Sequence, residues 1–90
     1  MTTTFIRHRV KDYDAWRRVY DDFAGVQAKA GVTAKAVYRS AADPNDVLVM
    51  HTFGNIDQAQ DFLALAELKE AMMNAGVEGA PQIDIFDDAD

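Results

Sequence analysis

The chain has 90 residues, 49% of them apolar and 27% charged, with no cysteine. A domain of that length hides roughly 60–65% of its unfolded surface and gains from a second interface, and the lack of cysteine excludes disulfides, thiolate metal sites and a cysteine nucleophile. The net charge of −6 argues against a nucleic-acid partner.

Phe5 to Val10 reads as a first strand. Asp12 then caps a helix whose apolar positions fall at Tyr13, Trp16, Tyr20, Phe23, Val26 and Ala30, steps of three and four that mark one amphipathic face. Gly31 sits where a left-handed C′ residue closes that helix. Val32 to Arg39 is a second strand, and Ala42-Asp43-Pro44-Asn45-Asp46 is a turn cluster. Val47 to Phe53 is the strongest strand. Asn55 caps the next helix, with Gln58 as the returning half of a capping box. Apolar positions follow at Ala59, Phe62, Leu63, Ala66, Leu68, Met72 and Ala75, and Gly76 closes the helix. Ile83 to Phe86 is the last strand, after Pro81, and residues 87–90 form an acidic tail expected to fray.

The segments Ala30-Gly31-Val32 and Ala75-Gly76-Val77 match letter for letter, so the chain reads as a doubled strand–helix–strand unit. This predicts one α+β domain over 1–90, a ferredoxin-like βαββαβ fold. Right-handed crossovers give a four-stranded antiparallel sheet of order 4-1-3-2 with both helices on one face. Residues 1–40 carry eight Lys/Arg and four Asp, residues 41–90 one Lys and eleven Asp/Glu, so the two halves are expected to pack with complementary charge.

The third strand is apolar on both faces, because Leu48 and Met50 alternate with Val47, Val49 and Phe53. Helices cover only one side of such a sheet. A second copy is the expected cover for Leu48, Met50, Val37 and Phe5 or Phe86, which makes the chain a homodimer through its sheet. No apolar run approaches the ~20 residues needed to cross a bilayer, and Met1 to Phe5 shows no signal peptide. The expected location is the cytoplasm, with no membrane partner.

His8 shares a strand face with Ile6 and Val10, and His51 shares one with Val47, Val49 and Phe53. If both faces meet the helices, the imidazoles lie on a diagonal roughly 7–8 Å apart at Cα. A neutral histidine in an apolar cleft is a candidate general base, and a core histidine satisfied by the backbone is the plain alternative. His51, His8 and Tyr38 are thus the candidate catalytic residues, with Tyr20 as a second possible polar partner. Trp16, Tyr20, Val49 and Phe53 are the candidate ligand contacts, and the small Ala34 and Ala36 beside Tyr38 either leave room for a ligand or let a helix pack close. Arg7, Arg9, Lys35 and Arg39 are placed on the opposite faces. No Asp or Glu alternates onto the histidine faces, so no metal is expected, and with no Gly-rich phosphate loop and no dinucleotide fingerprint no cofactor is expected either.

The run Val10-Lys11-Asp12-Tyr13-Asp14-Ala15-Trp16, the strand Val47 to Phe53, and Glu67 to Met72 leading into Ala75-Gly76-Val77 resemble the dimeric α/β-barrel superfamily. Within it, the chain is similar to small proteins grouped with antibiotic biosynthesis monooxygenases and often labelled cyclase-like. The resemblance implies two sheets closing into a barrel between protomers. It also implies activities ranging from cofactor-free oxygenation of aromatic polyketides to ring closure and heme degradation. The heme degraders use an early Asn with a Trp and a His later; here Arg7 and His8 occupy the first strand and the second helix has no His, which disfavours that activity. Two functions follow as expectations: a cofactor-independent enzyme acting on a small hydrophobic or aromatic molecule, or a non-catalytic ligand-binding or structural dimer.

Overall fold

The computed structural model describes residues 1–90 as β1 (Thr2–Val10), α1 (Tyr13–Asp22), α2 (Ala24–Lys29), β2 (Ala34–Arg39), β3 (Asp46–Phe53), α3 (Ile56–Leu63), α4 (Ala66–Asn74) and β4 (Val77–Asp87). The four strands form one antiparallel sheet in the order β2-β3-β1-β4, the expected 4-1-3-2 arrangement. Alternation in β1 is complete: Thr2, Thr4, Ile6, His8 and Val10 are buried beneath the helices, and the residues between them face the other side.

The expected caps form. Asp12 accepts from the Ala15 N–H at 3.2 Å, and Asn55 accepts from the Gln58 N–H at 2.9 Å. The Gln58 side chain returns one residue beyond a capping box, accepting from the Gly54 N–H at 3.0 Å. At Gly31 (φ +97°) the Val32 N–H bonds the Gln27 carbonyl and the Gly31 N–H bonds the Ala28 carbonyl, both at 3.1 Å. That pair is a Schellman closure, which needs the left-handed residue.

Each long helix expected from the sequence is broken in two. The first bends at Phe23, whose N–H is shared between the Val19 and Tyr20 carbonyls, immediately before the flexible Gly25. The second breaks at Leu65, which is extended (ψ 131°). Phe62 and Leu68 are six residues apart, about 240° around a continuous helix, so they could not share one face. The break restores the phase, and both side chains enter one core with Phe53 and Ala59.

β4 begins at Val77, well before the expected Ile83. Gly79 (φ +70°) and Pro81 read as breakers in sequence, yet they occupy a bulge where the pairing with β1 shifts between Arg7 and Arg9. Pro81 has no N–H to offer the ladder and fits an edge strand at a bulge. The acidic end is also more ordered than expected. Asp87 belongs to β4 and accepts from the Thr2 hydroxyl at 2.5 Å, and Asp88 pairs with the N-terminal ammonium at 3.2 Å.

Charge complementarity between the halves is visible on the open face of the sheet. Arg7 pairs with Asp46 through two bonds, the shorter 2.7 Å, and Arg9 pairs with Asp43. Phe5, Leu48 and Met50 are half-buried on that face, Tyr38 and Phe86 are exposed, and no helix covers them. No helix is long and apolar enough to cross a membrane.

Candidate functional site

Two apolar clusters lie between sheet and helices. One gathers Ile6, Val10, Trp16, Tyr20, Val47, Val49 and Ala75; the other gathers Phe53, Ala59, Phe62 and Leu68. Packing at their seam is incomplete, leaving a cavity of about 50 Å³. The sheet contributes Ile6, His8, Val49 and His51, and α1 contributes Trp16, Val19 and Tyr20. Phe23, Gln27, Phe62, Leu68, Ala71, Met72 and Ala75 complete the wall, eleven of the fourteen residues being apolar.

Both histidines reach this cavity, as their strand faces predict, but not as a diagonal pair. The register sets His8 opposite Val47 and His51 opposite Thr4, with Ile6 and Val49 paired between them. Four residues of strand put the two imidazoles at opposite ends, roughly 13–15 Å apart at Cα. They cannot act on one atom.

His51 is 3% exposed, its Nε2 lies 3.3 Å from the Tyr20 hydroxyl, and its ring is parallel to that of Tyr20. Phe62 meets it edge-on at 5.4 Å. Its Nδ1 is buried with no hydrogen-bond partner. Burial and, secondarily, the positive charge of Lys35 push its pKa down to about 4. At neutral pH His51 is therefore a neutral imidazole with one nitrogen engaged and one free. His8, 7% exposed, packs edge-on against Trp16 at 5.7 Å and has no partner for either nitrogen. Burial lowers its pKa, opposed by Asp46. Burial likewise raises the Tyr20 phenol, keeping it protonated. Buried nitrogens without a protein partner are uncommon in native cores, and here both rings that carry them line one cavity.

Trp16, Tyr20 and Val49 line the cavity as expected. Phe53 does not; it is fully buried behind the wall, against Phe62 at 5.5 Å. Tyr38 is also outside. It is 53% exposed on the open face, opposite Leu48, and shares that face with Ala34 and Ala36. On β2 the helix side belongs to Lys35, Val37 and Arg39, paired with His51, Val49 and Val47, the reverse of the sequence expectation for all three. Long cations mislead a polarity reading because their stems cover apolar surface while their heads reach solvent. Arg39 lies over the Tyr13 ring at 3.9 Å and Lys35 beside the Tyr20 ring at 5.3 Å. Arg7 and Arg9 do stand on the open face.

Gln27, absent from the sequence candidates, is 2% exposed and lines the cavity. The spacing 16, 20, 23, 27 carried the signal: Gln27 occupies the next core position of the helical stripe. No three His, Asp or Glu side chains lie together to hold a metal ion.

No protein-family model matches the chain, and no curated protein matches it in sequence. Solved structures are similar to it in fold. A protein from Bordetella bronchiseptica bearing the name antibiotic biosynthesis monooxygenase matches at TM-score 0.81 and 15% identity, covering 98% of this chain and 96% of that one. A Caulobacter crescentus protein of the same name matches at 0.80 and 19%, covering 99% and 90%. SnoaB, a cofactor-independent oxygenase from Streptomyces nogalater, matches at 0.80 and 15%, covering 99% and 93%. At these identities the likeness shows the fold: a ferredoxin-like sheet with helices on one face, as in the antibiotic biosynthesis monooxygenase structures.

Proposed function

We propose that the protein is a cytoplasmic homodimer, joined through its open sheet faces, whose protomers each work as a cofactor-independent oxygenase on a small aromatic molecule. The observation that carries the reading is His51: neutral, buried, held at Nε2 by Tyr20, without a protein partner at Nδ1, and part of the wall of an apolar cavity. In the tautomer that donates Nε2–H to the Tyr20 oxygen, Nδ1 presents a lone pair to the cavity. There it takes a proton from an acidic C–H of the bound ring. Burial makes a lone imidazolium costly, and the carbanion formed beside it offsets that cost. The carbanion then reacts with dioxygen; one oxygen atom stays on the carbon as a carbonyl and the other leaves as water. The oxygenase named among the structural neighbours supports the reaction class.

A volume of about 50 Å³ is well below the 300–1,000 Å³ of drug-sized ligand sites. A ring therefore enters only as the wall yields, and Met72 on α4 is the adaptable part of it. The same small volume favours the second reading, a dimer with no chemistry. Oxygen uptake with a hydroxyanthrone, an aromatic with an acidic C–H, separates the two. Wild-type uptake above buffer, reduced about a hundredfold or more by His51→Ala and His51→Gln in folded protein, is the expected result, general-base contributions being about 10²–10⁴. Undiminished uptake in both variants removes His51 from the chemistry. No uptake by the wild type with this substrate class favours the non-catalytic dimer.

A further inference from the structure

Gln27 lines the buried cavity and also an outer groove between α2 and β2, whose other walls include Ala28, Val32 and Lys35. Its amide is thus a wall common to both, and it is held by the Lys35 ammonium, which donates to its Oε1 at 2.9 Å. Lys35 stands directly across the sheet from His51, and its ammonium lies 5.3 Å from the centre of the Tyr20 ring. A second cation, Arg17, flanks the same ring at 5.3 Å but is neutralised by Asp21 at 3.0 Å. Lys35 makes no ion pair. In a chain with fifteen carboxylates and nine Lys/Arg, a cation fixed on a neutral amide at a cavity wall is an available anion site.

We infer that Lys35 and Gln27 form an anion-recognising mouth, and that the cavity takes an aromatic carrying a carboxylate or other anionic oxygen, its ring against Trp16 and Tyr20 and its charge on Lys35. The inference rests on the ligand-pocket part of the function proposed above and names its substrate class. The ammonium exchanges the Gln27 amide for the ligand's oxygen, and the released side chain opens the passage from groove to cavity. The net charge of −6 does not prevent this, because at physiological salt charges beyond about 8 Å are screened while a contact pair is not.

Benzoate and its neutral isostere benzamide test the idea, with binding followed by the indole N–H resonance of Trp16, the only tryptophan. The wild type is expected to prefer benzoate by about tenfold, the scale of a charge-assisted hydrogen bond. Lys35→Met is expected to abolish the preference for benzoate over benzamide, and Lys35→Arg to keep it. Equal binding of both probes by the wild type, or an undiminished preference in Lys35→Met, overturns the anion site and leaves the pocket standing. Binding of neither probe overturns both.

Discussion

Phe62→Ala is expected to destabilise the fold by about 3–5 kcal/mol, the range for emptying a buried phenylalanine site. Phe62 is 1% exposed and lies in the cluster with Phe53, Ala59 and Leu68, touching Phe53, Phe23 and His51. Its removal enlarges a void already present, so the walls have little to collapse onto. For a chain of this size the loss is a large part of a total of about 5–15 kcal/mol, and the melting temperature should fall by about 15–30 °C. Phe62→Leu, which keeps most of the volume, should cost less than half as much. Urea denaturation of both variants checks this; a loss under 1 kcal/mol for Phe62→Ala would mean the core does not depend on it.

Leu48→Asp is expected to abolish the proposed dimer and leave a monomer. Leu48 lies at the middle of the uncovered face, near Met50, Phe5 and the Arg7–Asp46 pair, and paired across the sheet with Tyr38. A carboxylate there would be desolvated if two such faces met, and would compete with Asp46 for Arg7, its cross-strand neighbour, at a cost of several kcal/mol in each copy. Its side chain points away from the helix-side core, so the protomer should still fold. Light scattering during size-exclusion chromatography should give twice the 10.0 kDa chain mass for the wild type and 10.0 kDa for the variant. A wild type that elutes as a monomer at micromolar concentration contradicts the dimer.

The sheet order and both glycine closures could be read from the residues because they rest on local rules: alternation in β1 and β3, Asp12 and Asn55 as caps, Gly31 and Gly76 after the last turn. What escaped is where a tertiary contact overrides a local signal. Pro81 and Gly79 look like the end of order but sit in a bulge of an edge strand. Leu65 looks helical, yet the helix breaks there so that Phe62 and Leu68 can share a core. For the site, the strand faces of His8 and His51 and the cavity contacts Trp16, Tyr20 and Val49 could be read in advance. Their register could not, because nothing in a single strand specifies its offset from a neighbour. Tyr38 was misplaced for a different reason. β2 hides its helix side behind the stems of Lys35 and Arg39, and an edge strand that is polar on one side and aromatic on the other gives the wrong parity.

The free nitrogen of a neutral His51 carries the proposed chemistry, and its ring can be observed directly by following the imidazole carbon-bound proton resonance against pH. Because the folded pKa is depressed to about 4 from the ordinary 6.5, the unfolded chain takes up the proton first as pH falls. The stabilising contribution is complete above about pH 6.5 and is lost progressively down to about pH 4, amounting to about 3 kcal/mol. The titration midpoint is expected near 4, with a second, partly lowered midpoint for His8. A His51 midpoint at 6.5 or above would show a solvated or ion-paired imidazole and contradict a neutral base in an apolar cavity.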